Sequence, residues 1–289
     1  MKKTIRGILK RPPQPGMVGD GFRVYNYFPG GYRIRDMVDP FLMLDFNPEY
    51  DFGPSTHPRG VDVHPHKGFE TVTIAYKGSV AHHDSRGNSG VIHPGDVQWM
   101  TAGGGILHKE YHETEFSKRG GPFEMVQLWV NLPKKHKLTP AHYQALEASQ
   151  MGRYALPENS GTVNVIAGEI MGVKGPAKTF TPINLFNMHL KQNAFLKFDV
   201  SALHNTCLLI VNGSAFVNGS DAVTHDLVLF ANEGEEIEIN SSEDSLILFM
   251  SGEPIKEPVA QYGPFVMNTQ EELYVAIDEF NAGKFGQLE

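Results

Sequence analysis

The sequence predicts an all-β protein built on a duplicated plan. Short runs of β-branched and aromatic residues recur along the chain, the kind of side chain that fits a pleated, half-buried surface. Glycine (30) and proline (19) punctuate a chain of 289 residues, so strands are short and turns frequent. The halves also share a pattern. Tyr76-Lys77-Gly78-Ser79 is followed by Asp96-Val97-Gln98-Trp99-Met100, and Val211-Asn212-Gly213-Ser214 by Asp226-Leu227-Val228-Leu229-Phe230. Each is a turn closing an apolar strand, then an acidic turn entering another.

In order, residues 70–81 read as a strand over Glu70 to Tyr76, turned by Lys77-Gly78. Gly87 to Gly90 is a turn. Residues 91–100 place a strand on each side of Pro94-Gly95-Asp96, and Met125 to Leu132 is a strand stopped by Pro133. The second half offers strands at 162–167, 183–190, 194–200, 207–211, 227–230, 236–239 and 246–250. Spacing of this kind belongs to sandwiches and barrels.

Two helices are expected. Thr139 as N-cap with Pro140 after it starts a linking helix over 139–150. Thr269 with Glu272 three residues on is a capping box, and Leu273, Ala276, Ile277 and Phe280 form one apolar stripe ended by Gly283. The division implied is 1–138, a link at 139–150, and 151–289 carrying the terminal helix.

The formal charge is −8, from 25 basic and 33 acidic residues, which argues against a protein that grips nucleic acid with its whole surface. Lys134, Lys135 and Lys137 read as a solvated turn. A single cysteine, Cys207, excludes an internal disulfide. It lies in an apolar run and reads as a small core residue. The basic start Met1-Lys2-Lys3 is not followed by an apolar segment, and no apolar stretch is long enough to span a membrane. A cytoplasmic location is expected.

His64-Pro65-His66 and His108-Lys109-Glu110 carry the chemistry. Each places two metal-capable side chains two residues apart, on one face of a strand. Two such strands meeting inside a barrel would aim three imidazoles and one carboxylate at a transition metal. The His-x-His element alone is weak, since 13 histidines in 289 residues give about 0.6 such pairs by chance. His-x-Glu strengthens it, because the glycines at 103, 104 and 105 form a bend that delivers His108 and Glu110 onto a new strand. The competing reading makes His64 and His66 turn residues and His108 a satisfied core histidine.

Longer strings decide between these. Residues 65–72 (Pro-His-Lys-Gly-Phe-Glu-Thr-Val) and 95–110 (Gly-Asp-Val-Gln-Trp-Met-Thr-Ala-Gly-Gly-Gly-Ile-Leu-His-Lys-Glu) resemble the hallmarks of the pirin family, within the cupin superfamily. So do residues 128–132 and 261–269. The resemblance implies a bicupin: two tandem jelly-roll-like β-barrels, with one metal in the N-terminal barrel. It implies His64, His66, His108 and Glu110 as the ligands and Fe(II) as the metal. The ligand types themselves admit Mn, Co, Ni, Cu and Zn equally. In the broader cupin pattern the carboxylate comes from the first motif, where Glu70 stands. On a straight strand Glu70 lies roughly 13 Å beyond His66, so Glu110 is preferred and Glu70 is expected to orient a ligand imidazole.

Pirins resemble quercetinases, which implies a dioxygenase that opens a flavonol-like ring with O2, Glu110 serving as general base. The alternative is a non-enzymatic, iron-containing, redox-sensitive regulator that binds a transcription factor or metabolic enzyme. Phe69, Trp99 and Met100 are near enough in sequence to line an apolar pocket but are given no role. Family likeness implies a monomer. Among the other histidines, His112 reads as exposed, as do His57, His82, His83, His93, His136 and His142. His189, His204 and His225 lack a partner at metal spacing. Aligning the halves on Gly78 and Gly213, and on Asp96 and Asp226, puts Asp199, Ser201, Glu238 and Asn240 where the ligands stand. The second barrel is therefore expected to bind no transition metal.

Overall fold

The structure is a computed structural model describing residues 1–289. The first half contributes strands β1 (Ile5–Leu9), β2 (Gly16–Val18), β3 (Phe22–Phe28), β4 (Phe41–Phe52), β5 (Gly60–His66), β6 (Phe69–Lys77), β7 (Val80–Asp84), β8 (Ser89–Ile92), β9 (Val97–Thr101), β10 (Ile106–His112), β11 (Gly121–Asn131) and β12 (His142–Leu146). The expected all-β architecture with a C-terminal helix is present. The strands at 183–190 and 227–230 have the bounds expected, the strand expected at 125–132 starts four residues earlier at Gly121, and the other expected strands shift by a residue or two at their ends.

The chain forms two compact units, and they are not its sequential halves. One gathers Met1–Arg11, Ile34–Pro40 and Ser149–Ile255; the other gathers Pro12–Arg33, Phe41–Ala148 and Lys256–Glu289. The expected division at 138 and 151 thus fails at both ends. β1 pairs with Leu227–Phe230 and completes a seven-stranded sheet of the second half. The terminal helix Gln270–Asn281 packs in the other unit, where Leu273 and Ala276 are buried with Ala260, Phe265, Met267 and Phe285. An unpaired sheet edge and an uncovered apolar face each take whichever segment satisfies them, and sequence proximity does not enter.

In the unit that carries both histidine motifs, a seven-stranded antiparallel sheet runs β12-β9-β6-β11-β4-β3-β2 and a four-stranded one runs β5-β10-β7-β8. The linking helix is absent. Residues 142–146 are β12, hydrogen-bonded along the edge of β9 from His142 opposite Thr101 to Leu146 opposite Val97. Only a 3-10 turn forms after it, at Ala148–Gln150. Ala141, Gln144, Ala145 and Leu146 favour helix locally, but the open edge of β9 offers their backbone groups partners and wins.

The other unit stacks a four-stranded sheet, Phe195–Asp199, Glu236–Ser241, Ser214–Val217 and Ser220–Val223, with the seven-stranded sheet that includes β1. Its interior is filled by apolar side chains, Phe186, Phe198 and Phe249 among them. Cys207 is buried on the opposite face of the seven-stranded sheet, and burial pushes its thiol up to about 12, which suits the structural role expected of it. At the positions that align with the ligands, Glu238 pairs instead with Lys2 and Lys197, and Asp199 is exposed. No helix of the protein is long and apolar enough to cross a membrane.

Candidate metal centre

β5 and β10 pair antiparallel so that His108 stands directly opposite His64, and Ile106 opposite His66. Residues opposite one another share a face, as do residues two apart. The three imidazoles therefore meet. His108 Nε2 lies 2.8 Å from His64 Nε2 and 3.2 Å from His66 Nε2. Along β10 every second side chain, Ile106, His108, Glu110 and His112, is buried, which carries Glu110 onto the same face. Its Oε2 lies 3.9 Å from His108 Nε2.

Glycine lets the C-terminal segment close against the ends of these strands. Gly68, in the turn between His66 and Phe69, has φ +86°, and a Cβ there would meet the Val266 carbonyl oxygen at 1.9 Å. Gly105, just before β10, has φ +122°, and a Cβ would strike the Phe285 ring at 2.4 Å. A side chain at either place would displace a ligand strand. The turn after His66 is held from below by Lys137. Contrary to the solvated turn expected, Lys137 is buried, and its ammonium donates to Gly68 O, Asn131 Oδ1 and Val266 O at 2.8, 2.8 and 3.0 Å. Burial lowers its pKa to about 8.

The donor set fits a metal ion. The Asp62 carbonyl can only accept, so the 2.8 Å contact to His64 Nδ1 fixes the proton on that nitrogen and frees the Nε2 lone pair. His66 and His108 are fully buried, and burial, reinforced by the neighbouring imidazoles, drives both well below the usual histidine range. Neutral imidazoles are the form that ligates. Three Nε2 atoms facing one another cannot all be satisfied by shared protons, whereas one divalent ion meets every lone pair. Ligands held at about 2.1 Å and at right angles stand about 3.0 Å apart, which matches the separations observed. Burial also raises the Glu110 carboxyl to about 7, against the opposing hydrogen bond from Thr73 Oγ1 at 3.2 Å. A cation beside it would pull that value down.

The other expected participants are placed differently. Glu70 is buried on β6, and its Oε1 accepts from Thr101 Oγ1 at 2.7 Å; it orients a threonine rather than an imidazole. His112 is not exposed. It is wholly buried and boxed by Phe22, Phe52, Phe116 and Phe123, with Nε2 donating to Gly21 O at 2.8 Å. The strict alternation of 108, 110 and 112 was the signal for this. His82 is also buried, stacked on Tyr143 with ring centroids 5.2 Å apart.

A cavity of about 300 Å³ opens beside His64, His66 and Glu110. Its wall includes Trp129, whose ring stands edge-on to His66 at 5.4 Å. Phe69 supports both from behind, while Trp99 and Met100 are buried elsewhere in the core. Sequence reading missed the contribution of β4, because Asp45 and Asn47-Pro48 interrupt its apolar run. Those two polar side chains face the cavity.

The chain matches the family model described as Pirin over residues 21–130 and that described as Pirin C-terminal cupin domain over 185–286. It is 43% identical over 269 residues to a Pseudomonas aeruginosa protein provisionally named a quercetin 2,3-dioxygenase, covering 93% of each chain. It is 35% identical to human pirin over 292 residues, covering 99% of this chain and 94% of that one. A crystal structure titled quercetin 2,3-dioxygenase from Acinetobacter baumannii superposes with a TM-score of 0.95 at 45% identity over the full length of both chains. Both domain models, relatives spanning nearly the whole chain and the double-barrel architecture agree, and the chain belongs to the pirin family of bicupins.

Proposed function

We propose that the protein is a metal-dependent dioxygenase of the pirin/quercetinase type, which opens a flavonol-like ring with O2 and releases carbon monoxide. The observation that carries this reading is the convergence of three neutral imidazole nitrogens beside the Glu110 carboxyl, at the wall of a largely apolar cavity. His64, His66, His108 and Glu110 would hold the ion, iron by family likeness. When bound, that ion supplies a Lewis-acidic, redox-active centre for a substrate hydroxyl and O2.

The chain's own groups do the rest. Glu110 accepts the proton of the flavonol 3-hydroxyl. Thr73 holds one oxygen of that carboxylate, so the other is turned to the imidazole cluster. Trp129 offers a ring against which a planar aromatic substrate packs, and the apolar wall keeps bulk water from the reacting carbon.

The test is reconstitution with Fe(II), addition of quercetin, and simultaneous recording of flavonol absorbance, O2 uptake and carbon monoxide. Turnover that falls 10²–10⁴-fold in Glu110→Gln, the range of general-base contributions, and disappears in His66→Ala supports the proposal. A full complement of metal with no turnover of any flavonol would overturn it in favour of the non-enzymatic, redox-sensitive regulator, with a protein partner in place of a substrate.

A further inference from the structure

Asn47 is a buried polar side chain with no task in the site described so far. It is 2% exposed, and neither its Oδ1 nor its Nδ2 has a hydrogen-bond partner. A buried amide with both ends unpaired is rare in folded proteins and calls for a reason. Its direction follows from register. β4 and β11 pair so that Met43 faces Trp129, Asp45 faces Gln127 and Asn47 faces Met125. These three ranks share the inner face of the sheet, and all six side chains line the cavity.

The ranks form a scale leading away from the imidazoles. The Trp129 rank touches His66. Four residues along the strand, about 13 Å away, lies the Asn47 rank. Between them Asp45 is buried, its Oδ1 accepting from Asn26 Nδ2 at 2.6 Å, and burial raises its carboxyl to about 6. The cavity is apolar on much of its wall. Its polar side chains on this sheet are Gln127, beside the Thr73 that holds Glu110, Asp45 opposite it, and, one rank farther from the imidazoles, Asn47. The unpaired amide there offers a donor and an acceptor together, which is what a phenolic hydroxyl requires.

We propose that Asn47 and Asp45 form a polar subsite that recognises a hydroxyl on the end of the substrate remote from the metal, and so select polyhydroxylated planar aromatics over bare ones. This rests on the reading of the cavity as a flavonol site, and it adds which flavonols the site takes and which side chains choose them. Asn47 and Asp45 are specificity residues and touch no reacting atom.

The test is anaerobic titration of the metal-loaded protein, following tryptophan fluorescence, with quercetin and with 3-hydroxyflavone, which keeps the 3-hydroxyl and lacks the others. Quercetin is expected to bind about tenfold tighter to the wild type. Asn47→Ala should bring the ratio close to one by weakening quercetin alone, and Asp45→Asn should reduce it in part. Should the alanine variant fail to fold, judged by metal content and circular dichroism, Asn47→Leu removes the same polar atoms at similar volume. Equal binding of both flavonols by the wild type, or an unchanged ratio in the folded variants, overturns the subsite. A tenfold binding preference lost in Asn47→Ala, without turnover once O2 is admitted, leaves the subsite standing and overturns the dioxygenase reading alone.

Discussion

His108 is the hub of the ligand cluster, within 3.2 Å of both other imidazole nitrogens and wholly buried. His108→Ala is therefore expected to lower metal content from about one ion per chain to near zero, measured by elemental analysis after dialysis. Unchanged metal content would remove His108 from the ligand set. Glu70 makes a second prediction. Burial holds its carboxyl at about 7, above the ordinary 4.5. The folded state thus binds this proton more tightly than the unfolded state does. The stability Glu70 contributes is full below pH 4.5 and is lost as pH rises through about 7. Glu70→Gln keeps an acceptor for Thr101 and removes the charge. It should be more stable than the wild type at pH 8 by up to about 3 kcal/mol, an advantage that vanishes near pH 4, as denaturant titrations at both pH values would show. At this scale the donor residues were legible in the sequence, because residue type and two-residue spacing are local properties. The burial of Lys137 was not, because it depends on the oxygens of Gly68, Asn131 and Val266 that distant segments bring to it.

At the scale of elements, β10 shows what periodicity can convey. Its alternation puts His108 and Glu110 on one face whatever surrounds it. β12 shows what periodicity cannot, since residues 142–146 fold as a strand against their local preference to satisfy the edge of β9. The terminal helix was legible because its signals lie within one turn. Thr269 Oγ1 accepts from Glu272 N at 3.2 Å, and Glu272 Oε2 accepts from Thr269 N at 3.1 Å. Thr269→Ala should cost about 1 kcal/mol, read from chemical denaturation, and leave metal content intact. The bend before β10 is less forgiving. Gly105→Ala combines a left-handed backbone with the clash against Phe285. It is expected to lower both the melting temperature and the metal retained, and a variant that keeps both would show the bend to be tolerant.

At the scale of the molecule, metal binding and folding should be coupled. Ligands from β5 and β10, 42 and 44 residues apart in the chain, meet only in the folded state, so an ion bound there favours that state. Chelation of the loaded protein should lower its melting temperature. With free metal 100-fold above its dissociation constant, the stabilisation lost is about 2.7 kcal/mol, and calorimetry with and without chelator measures it. A melting temperature indifferent to full metal loss would mean that the ion is not held by folded-state ligands.

The sequence by itself determined the strand-rich character, the capped terminal helix and the identity of the metal-capable side chains, because each follows from neighbours within a few positions. The tertiary structure alone decided which distant segments complete each unit, that β4 turns Asp45 and Asn47 toward the cavity, and that three imidazoles stand within bonding reach of one ion. Those outcomes depend on which sheet edges and apolar faces find partners, a competition among segments far apart in the chain that local patterning does not record.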